Sequence, residues 1–350
     1  MFFASDNWAG AHPRVAEALS TYAGGFAAAY GTSDLDRRVE ETFNRVFERE
    51  VAVFFVATGT AANALALAAV TKPGGVCFAH TEAHMLEDEC GAPEFLSSGG
   101  RLRPVAGPLG RMDPAALQRE IARFPEGNIH SGRPVAVSIT QSTEVGTVYP
   151  LDAIETIAGV AHKRDLALHM DGARFANALR HLDATPAEMT WKRGVDILSF
   201  GGTKNGCWCA EALIFFDPTK AQNFGFMRKR AAQLFSKTRF VAAQFEAYFA
   251  DDLWLESAAH ANRMAEGLRQ AIARSNHVRL AWEPEANEVF AVMPRTEADR
   301  LRQAGAAFYD WHAPHGWEGD VAPGESLVRL VTSFATQEAD VERFAGLLRG

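Results

Sequence analysis

VAVFFVATGTAANALALAAV, residues 51–70, runs for twenty residues without a charge. On length alone it could span a bilayer, but its texture says otherwise. VAVFFVA (51–57) is β-branched and aromatic, Thr58-Gly59-Thr60 is a break, and AANALALAAV (61–70) is rich in Ala and Leu around one polar Asn63. That pattern predicts strand, tight turn and helix. The helix start places backbone N–H groups and threonine hydroxyls together, a seat for a phosphate. The same pattern also suits a bare strand–turn–helix. It is neither G-x-G-x-x-G nor a Walker A motif, so dinucleotides and nucleoside triphosphates gain no support.

Outward from this unit, short apolar runs alternate with helical patterns. PVAVSIT (134–140), LALHMD (166–171), VDILSFGG (195–202) and EALIFF (211–216) read as strands, and Ile154, Ile157, Ala158 and Ala161 share one helical face. Strands and helices at this spacing predict a mostly parallel sheet with helices on both faces. Such sheets bind ligands at the carboxyl ends of their strands. From Glu246 the character changes. A helix containing 256–275 leads into strands at 278–284, 288–294 and 326–334, then a last helix over 337–350. The expectation is a large α/β domain over 1–245, including the N-terminal arm, and a small α+β domain over 246–350. Two domains suit a chain of 350 residues, at ~150 residues each.

Composition narrows the function. Hydrophobic residues make up 47% and charged residues 22%, as in globular chains, and a net charge of -8 argues against nucleic acid as a partner. The basic run MRKR (227–230) reads as a solvated helix face or part of a subunit interface. Cys77, Cys90, Cys207 and Cys209 make no disulfide framework. The start, Met1-Phe2-Phe3-Ala4-Ser5-Asp6, has no basic n-region. The expectation is a cytoplasmic protein with reduced thiols and no membrane span.

Only seven of the 35 basic residues are lysines, and six of those sit in polar or basic surroundings. Lys204 instead follows an apolar strand within Gly201-Gly202-Thr203-Lys204-Asn205-Gly206. A lysine desolvated at a strand end can form a Schiff base; the other reading is a solvated loop lysine. Asp171 ends another apolar strand, where a carboxylate can hold a ring nitrogen protonated or cap the next helix. Arg174 suits a carboxylate fork or a surface ion pair. His84, in HTEAHMLEDECGAP (80–93), can stack on a planar ring. His80, His84, Glu82, Glu87, Asp88 and Glu89 could together suggest a metal, but none is expected, because Thr81 breaks the H-E-x-x-H pattern. In order, the chain offers a phosphate turn, a ring-stacking histidine, a strand-end Asp and a strand-end Lys 33 residues later. Phosphate, pyridine and aldehyde together describe pyridoxal 5'-phosphate.

At these residues the chain resembles the low-specificity L-threonine aldolases, of the pyridoxal-phosphate fold-type I (aspartate aminotransferase-like) group. The resemblance is carried by SDN (5–7), AAYG (28–31), ATGTAAN (57–63), AHMLEDECGAP (83–93), NIH (128–130), LHMDGAR (168–174), FGGTKNG (200–206) and LVRLVT (327–332). It implies that Lys204 binds the cofactor aldehyde, Asp171 pairs with the pyridine nitrogen and His84 stacks on the ring. Gly59 and Thr60 would hold the phosphate, with Thr203 among the cofactor-binding residues. Arg174 and Arg329 would fork the substrate carboxylate near Ser5, and His130 would contact the β-hydroxyl. Arg239 would reach the phosphate from a neighbouring subunit, and Tyr30 would sit at the same interface of a homotetramer built as a dimer of dimers. Thr203-Lys204-Asn205-Gly206 departs from the common Ser-Lys-Gly and resembles a bacterial subgroup that also handles phenylserine-type substrates. No second basic residue precedes Arg239, Ala232 standing nearest. The implied reaction is retro-aldol cleavage of L-threonine or L-allo-threonine to glycine and an aldehyde, with His84, His130 or a phosphate-bound water as base. The alternative is another reaction on the same scaffold: transamination, β-elimination or racemisation.

Overall fold

The uncharged stretch becomes strand β1 (Ala52–Val56) and the helix Gly59–Val70. Ala61 through Ala68 are all buried. The helix is therefore apolar on every side because sheet and neighbouring helices enclose it. In this computed structural model, which describes residues 1–349, no helix is long and apolar enough to cross a membrane.

Six further strands complete the large sheet: β2 (Gly75–His80), β3 (Arg101–Val105), β4 (Arg133–Thr140), β5 (Ala167–Gly172), β6 (Ile197–Gly201) and β7 (Glu211–Phe215). Their order is β1-β7-β6-β5-β4-β2-β3. The sheet is parallel except for β7, which pairs antiparallel with both β1 and β6. EALIFF was expected to continue the parallel run. Only nine residues separate β6 from β7, too few for the crossover that parallel neighbours need. β2 and β3 were not anticipated. β2 is buried throughout and short enough to pass for helix, and β3 is an edge strand carrying two Arg and a Pro.

A smaller antiparallel sheet, order β10-β11-β9-β8, is built from β8 (Arg279–Leu280), β9 (Glu288–Pro294), β10 (Tyr309–Asp310) and β11 (Glu325–Val331). The strand expected over 278–284 shrinks to β8. The final helix covers Glu338–Arg349; Gly350, in the expected helix, lies outside the described residues. Residue 245 falls inside the helix Arg239–Phe249, and the Phe245 side chain is buried in the large core. Core membership changes along the helix Leu253–Ala273: Ala258 packs in the large core, Ala265 and Leu268 in the small one. The N-terminal arm joins the small core through Met1 and Phe3, and Phe3 O accepts from Val331 N at 2.8 Å. On this packing we place the division along Leu253–Ala273, with residues 1–3 on the small side.

The large core centres on an aromatic cluster. Phe43 is fully buried and meets Phe200, Phe245 and Phe249 edge-on at centroid distances of 5.4, 5.3 and 5.0 Å. This cluster holds the helix Asp34–Val46 and the helix Arg239–Phe249 against β6, and so fixes the strand that delivers Lys204. Phe43→Ala removes the central ring and is expected to cost about 3–5 kcal/mol. A urea midpoint lowered at unchanged m-value would show this; an unchanged midpoint would refute the placing of Phe43.

Candidate active site

Asp171 and Phe200 stand near the carboxyl ends of β5 and β6, where parallel strands leave a crevice. Asp171 is buried. Its Oδ2 accepts from Asn63 Nδ2 at 2.8 Å and its Oδ1 from Ala173 N at 3.0 Å. The capping reading of Asp171 is thus met only locally, since the next helix begins at Phe175 with Arg174 at its N-cap. The same Asn63 amide donates to Glu89 Oε1 at 2.8 Å, and that oxygen lies 2.9 Å from His84 Nδ1. A chain Asp171–Asn63–Glu89–His84 results. The Glu89 hydrogen bond holds the His84 pKa above its ordinary value, against burial. Burial raises the Glu89 carboxyl, with the His84 bond opposing and Asp171 adding.

Lys204 sits on a single 3-10 turn, Thr203–Asn205, just beyond β6. Two glycines make this turn possible. A Cβ on Gly201 would lie 2.7 Å from Ala173 O, and one on Gly202 2.7 Å from Ala210 O. Asn205 anchors the turn through Nδ2 to Tyr248 Oη at 2.7 Å and Trp254 O at 2.8 Å. Beneath it lies Glu211, buried, whose Oε1 accepts from Thr203 N at 3.4 Å. Burial pushes Glu211 up to about 7, opposed by Thr203 and by the charge of Lys204. The Lys204 side chain is half-buried rather than desolvated. Its charge acts on Asp6, His84 and Glu211, so it opens toward the crevice they share.

Arg174 is no surface residue: its side chain is 3% exposed. Nε and Nη2 donate to Asp6 at 2.8 and 3.2 Å, and Nη2 stands 3.3 Å from Glu288 Oε1. Arg329, on β11, points Nη1 at the same Glu288 oxygen from 3.6 Å, and Trp311 covers its guanidinium at 3.8 Å. The two arginines therefore converge on one place. Burial pushes Asp6 up, but Arg174, Lys204 and the hydrogen bonds outweigh it and hold the carboxyl below the ordinary range. Ser5 caps the turn Asp6–Trp8 that carries Asp6. Gly59 and Thr60 open the helix Gly59–Val70, whose N-cap is Thr58, its hydroxyl accepting from Ala61 N.

Three expected residues are not brought to this crevice by their own chain. His130 is exposed on the loop before β4, at the strand's amino end, whereas Asp171 is level with Thr140 at the carboxyl end. Eight residues of strand put about 25 Å between those levels. Tyr30 and Arg239 lie together on the surface. Tyr30 N donates to Ser236 O at 2.9 Å, and Arg239 Nη1 donates to Gly25 O at 3.2 Å. Neither touches Lys204, Asp171 or the paired arginines.

The beta-eliminating lyase model matches residues 3–296. The chain is a member of that family. It is 40% identical over 347 residues to a low specificity L-threonine aldolase of Pseudomonas sp. (strain NCIMB 10558), covering 99% of this chain and 96% of that one. To the enzyme of the same description from Pseudomonas aeruginosa it is 41% identical over 333 residues, 93% and 96% of the two chains. Among solved structures, Leishmania major threonine aldolase superposes with a TM-score of 0.91 at 28% identity, over 99% of this chain and 98% of the other.

Five members of the site went unassigned from sequence: Asp6, Asn63, Glu89, Glu211 and Glu288. Asn63 stands out as the one polar side chain in an Ala/Leu helix, and Glu89 only as one of the acids beside His84 that could suggest a metal. The acids look like ordinary surface charge until the fold buries them. Replacing Glu89 by Gln removes the carboxylate that does most to raise His84, so the His84 pKa should fall. Histidine ring titration by NMR checks this; an unmoved pKa would mean that Glu89 does not govern His84.

Proposed function

We propose that this chain is a pyridoxal-phosphate-dependent aldolase that cleaves L-threonine, L-allo-threonine and phenylserine-type β-hydroxy-α-amino acids to glycine and an aldehyde. The observation that carries the reading is one crevice that gathers a lysine, a buried carboxylate and two converging arginines. It occurs in a chain 40% identical to a low specificity L-threonine aldolase.

The residues fit the cofactor. Asp171 keeps lone pairs for a ring N–H, the first N–H groups of the helix at Gly59 and Thr60 face outward for a phosphate, and Thr203 flanks the lysine. When bound, pyridoxal phosphate supplies an electron sink for the pair released from the Cα–Cβ bond. Lys204 anchors it, and Asp171, kept in place by Asn63, holds the proton on the ring nitrogen. Arg174 and Arg329 take the substrate carboxylate and so orient the bond to be broken. Ser5 is adjacent through the Asp6 turn. We assign the β-hydroxyl proton to His84: Nδ1 is engaged by Glu89, which leaves Nε2 free to take that proton.

The surface supports an oligomer. Phe26 is wholly exposed, and Tyr30 half so, beside Arg239. We propose a dimer of dimers in which Tyr30, Arg239 and His130 serve a neighbouring subunit's crevice, His130 at the substrate hydroxyl and Arg239 at the phosphate. A cytoplasmic location is part of the same proposal, supported by four free thiols.

Assays with L-threonine and phenylserine should yield glycine and the matching aldehyde. Formation of a 2-oxo acid instead would move the chain to transamination. Lys204→Ala should lose both turnover and the visible absorbance of lysine-bound cofactor; a retained band would sink the assignment. Arg329→Ala should raise KM for the amino acid about 10–100-fold, the worth of a charge-assisted hydrogen bond. An unchanged KM would remove Arg329 from the carboxylate site.

A further inference from the structure

Asp6 and Glu288 are the two acids of the arginine cluster, the reaction gives neither a role, and Glu288 is the one that is loosely held. It opens β9 and is fully buried, yet neither carboxylate oxygen has a hydrogen-bond partner. The arginine nitrogens at 3.3 and 3.6 Å attract it without bonding to it. Asp6, by contrast, takes short bonds from Arg174 and one from Asn287 at 3.1 Å. Arg174 Nη1 and Arg329 Nε are buried with no acceptor at all. The two guanidinium groups thus face one loosely held carboxylate and keep donors free for another.

The charges decide what a second carboxylate does. Asp6 and Glu288 balance Arg174 and Arg329. A substrate carboxylate entering between the arginines leaves the buried set with one negative charge too many, which a dry site does not tolerate. Asp6 is tied by three bonds and stays ionised. Glu288 is untied and can accept a proton. Burial already pushes it up to about 7 in spite of both arginines, with Glu144, from the loop after β4, and Asp6 pushing the same way. The remaining charge near the cluster, Lys204, acts on Asp6.

We propose that Glu288 is an internal counter-carboxylate for Arg174 and Arg329, and that it takes up one proton from solvent when an amino acid's carboxylate enters between them. This rests on the reading that the two arginines bind that carboxylate. Glu288 is a positioning residue: it touches the arginines and not the reacting bond. At low pH it is already protonated in the free enzyme and the arginines stand open. As the pH rises and the free enzyme's Glu288 ionises, each binding event carries a proton with it, and affinity falls by up to tenfold per pH unit.

The test is calorimetry of the holoenzyme with glycine at pH 8, in buffers of different ionisation heat, for wild type, Glu288→Gln and Arg329→Ala. The wild type should take up about one more proton per glycine than Glu288→Gln, whose affinity should fall less steeply with pH by about one tenfold step per unit. Equal proton counts and equal pH slopes, with glycine weakened by Arg329→Ala, would overturn the role of Glu288 and leave the carboxylate site standing. Glycine bound as tightly by Arg329→Ala as by wild type would overturn the site and this proposal with it. An infrared difference spectrum of wild type, glycine-bound minus free, needs no variant. A new protonated-carboxyl band supports the proposal, and its absence refutes it.

Discussion

Arg174 cannot shed its proton, and it is buried, so acids must be brought to it. They come from distant parts of the chain: Asp6 from the N-terminal turn and Glu288 from the first position of β9. Meeting this one guanidinium brings the N-terminal turn and the small sheet to the carboxyl end of β5, in the middle of the large sheet. Asn287 reinforces the junction by donating to both Asp6 and Thr332 O. Remove the acids and the arginine is an unpaired buried charge; remove the arginine and two carboxylates face each other across the domain junction. The crevice exists because these charges require one another.

A second constraint is spatial. The helix Gly59–Val70 packs closely because its buried positions are mostly alanine, and that closeness lets the short Asn63 amide span Glu89 and Asp171. A neutral donor between two buried acids keeps them apart without adding charge. The same helix offers its open N–H groups one turn earlier. The stretch that resembles a membrane span is therefore the element that aligns the turn Thr58-Gly59-Thr60 with Asn63 and Asp171.

The chemistry-bearing residues at strand ends were legible. A lysine flanked by glycines after an apolar strand, an Asp closing an apolar run and a turn of threonines and glycine each stand out from their neighbours, because a polar group at the end of an apolar run breaks the local pattern. The family resemblance added Arg329, Ser5, His130, Tyr30 and Arg239, which spacing alone does not single out. The supporting acids were illegible. Glu89, Glu211 and Glu288 sit in polar or mixed surroundings, and nothing local marks a carboxylate that long-range packing will bury. The antiparallel turn of β7 was missed for a related reason: strand direction depends on the length of a connection and not on the strand's own residues.

Sequence alone determined the layered α/β plan, the order of the site's parts and the cofactor they describe, because hydrophobic period and turn chemistry are local properties. Tertiary structure alone decided that Arg174 is buried between two acids, that Glu288 lies unbonded between two arginines, and that His130 stands at the far end of β4 from Asp171. Those facts depend on which distant segments share a dry, low-dielectric space, and no window of sequence contains them.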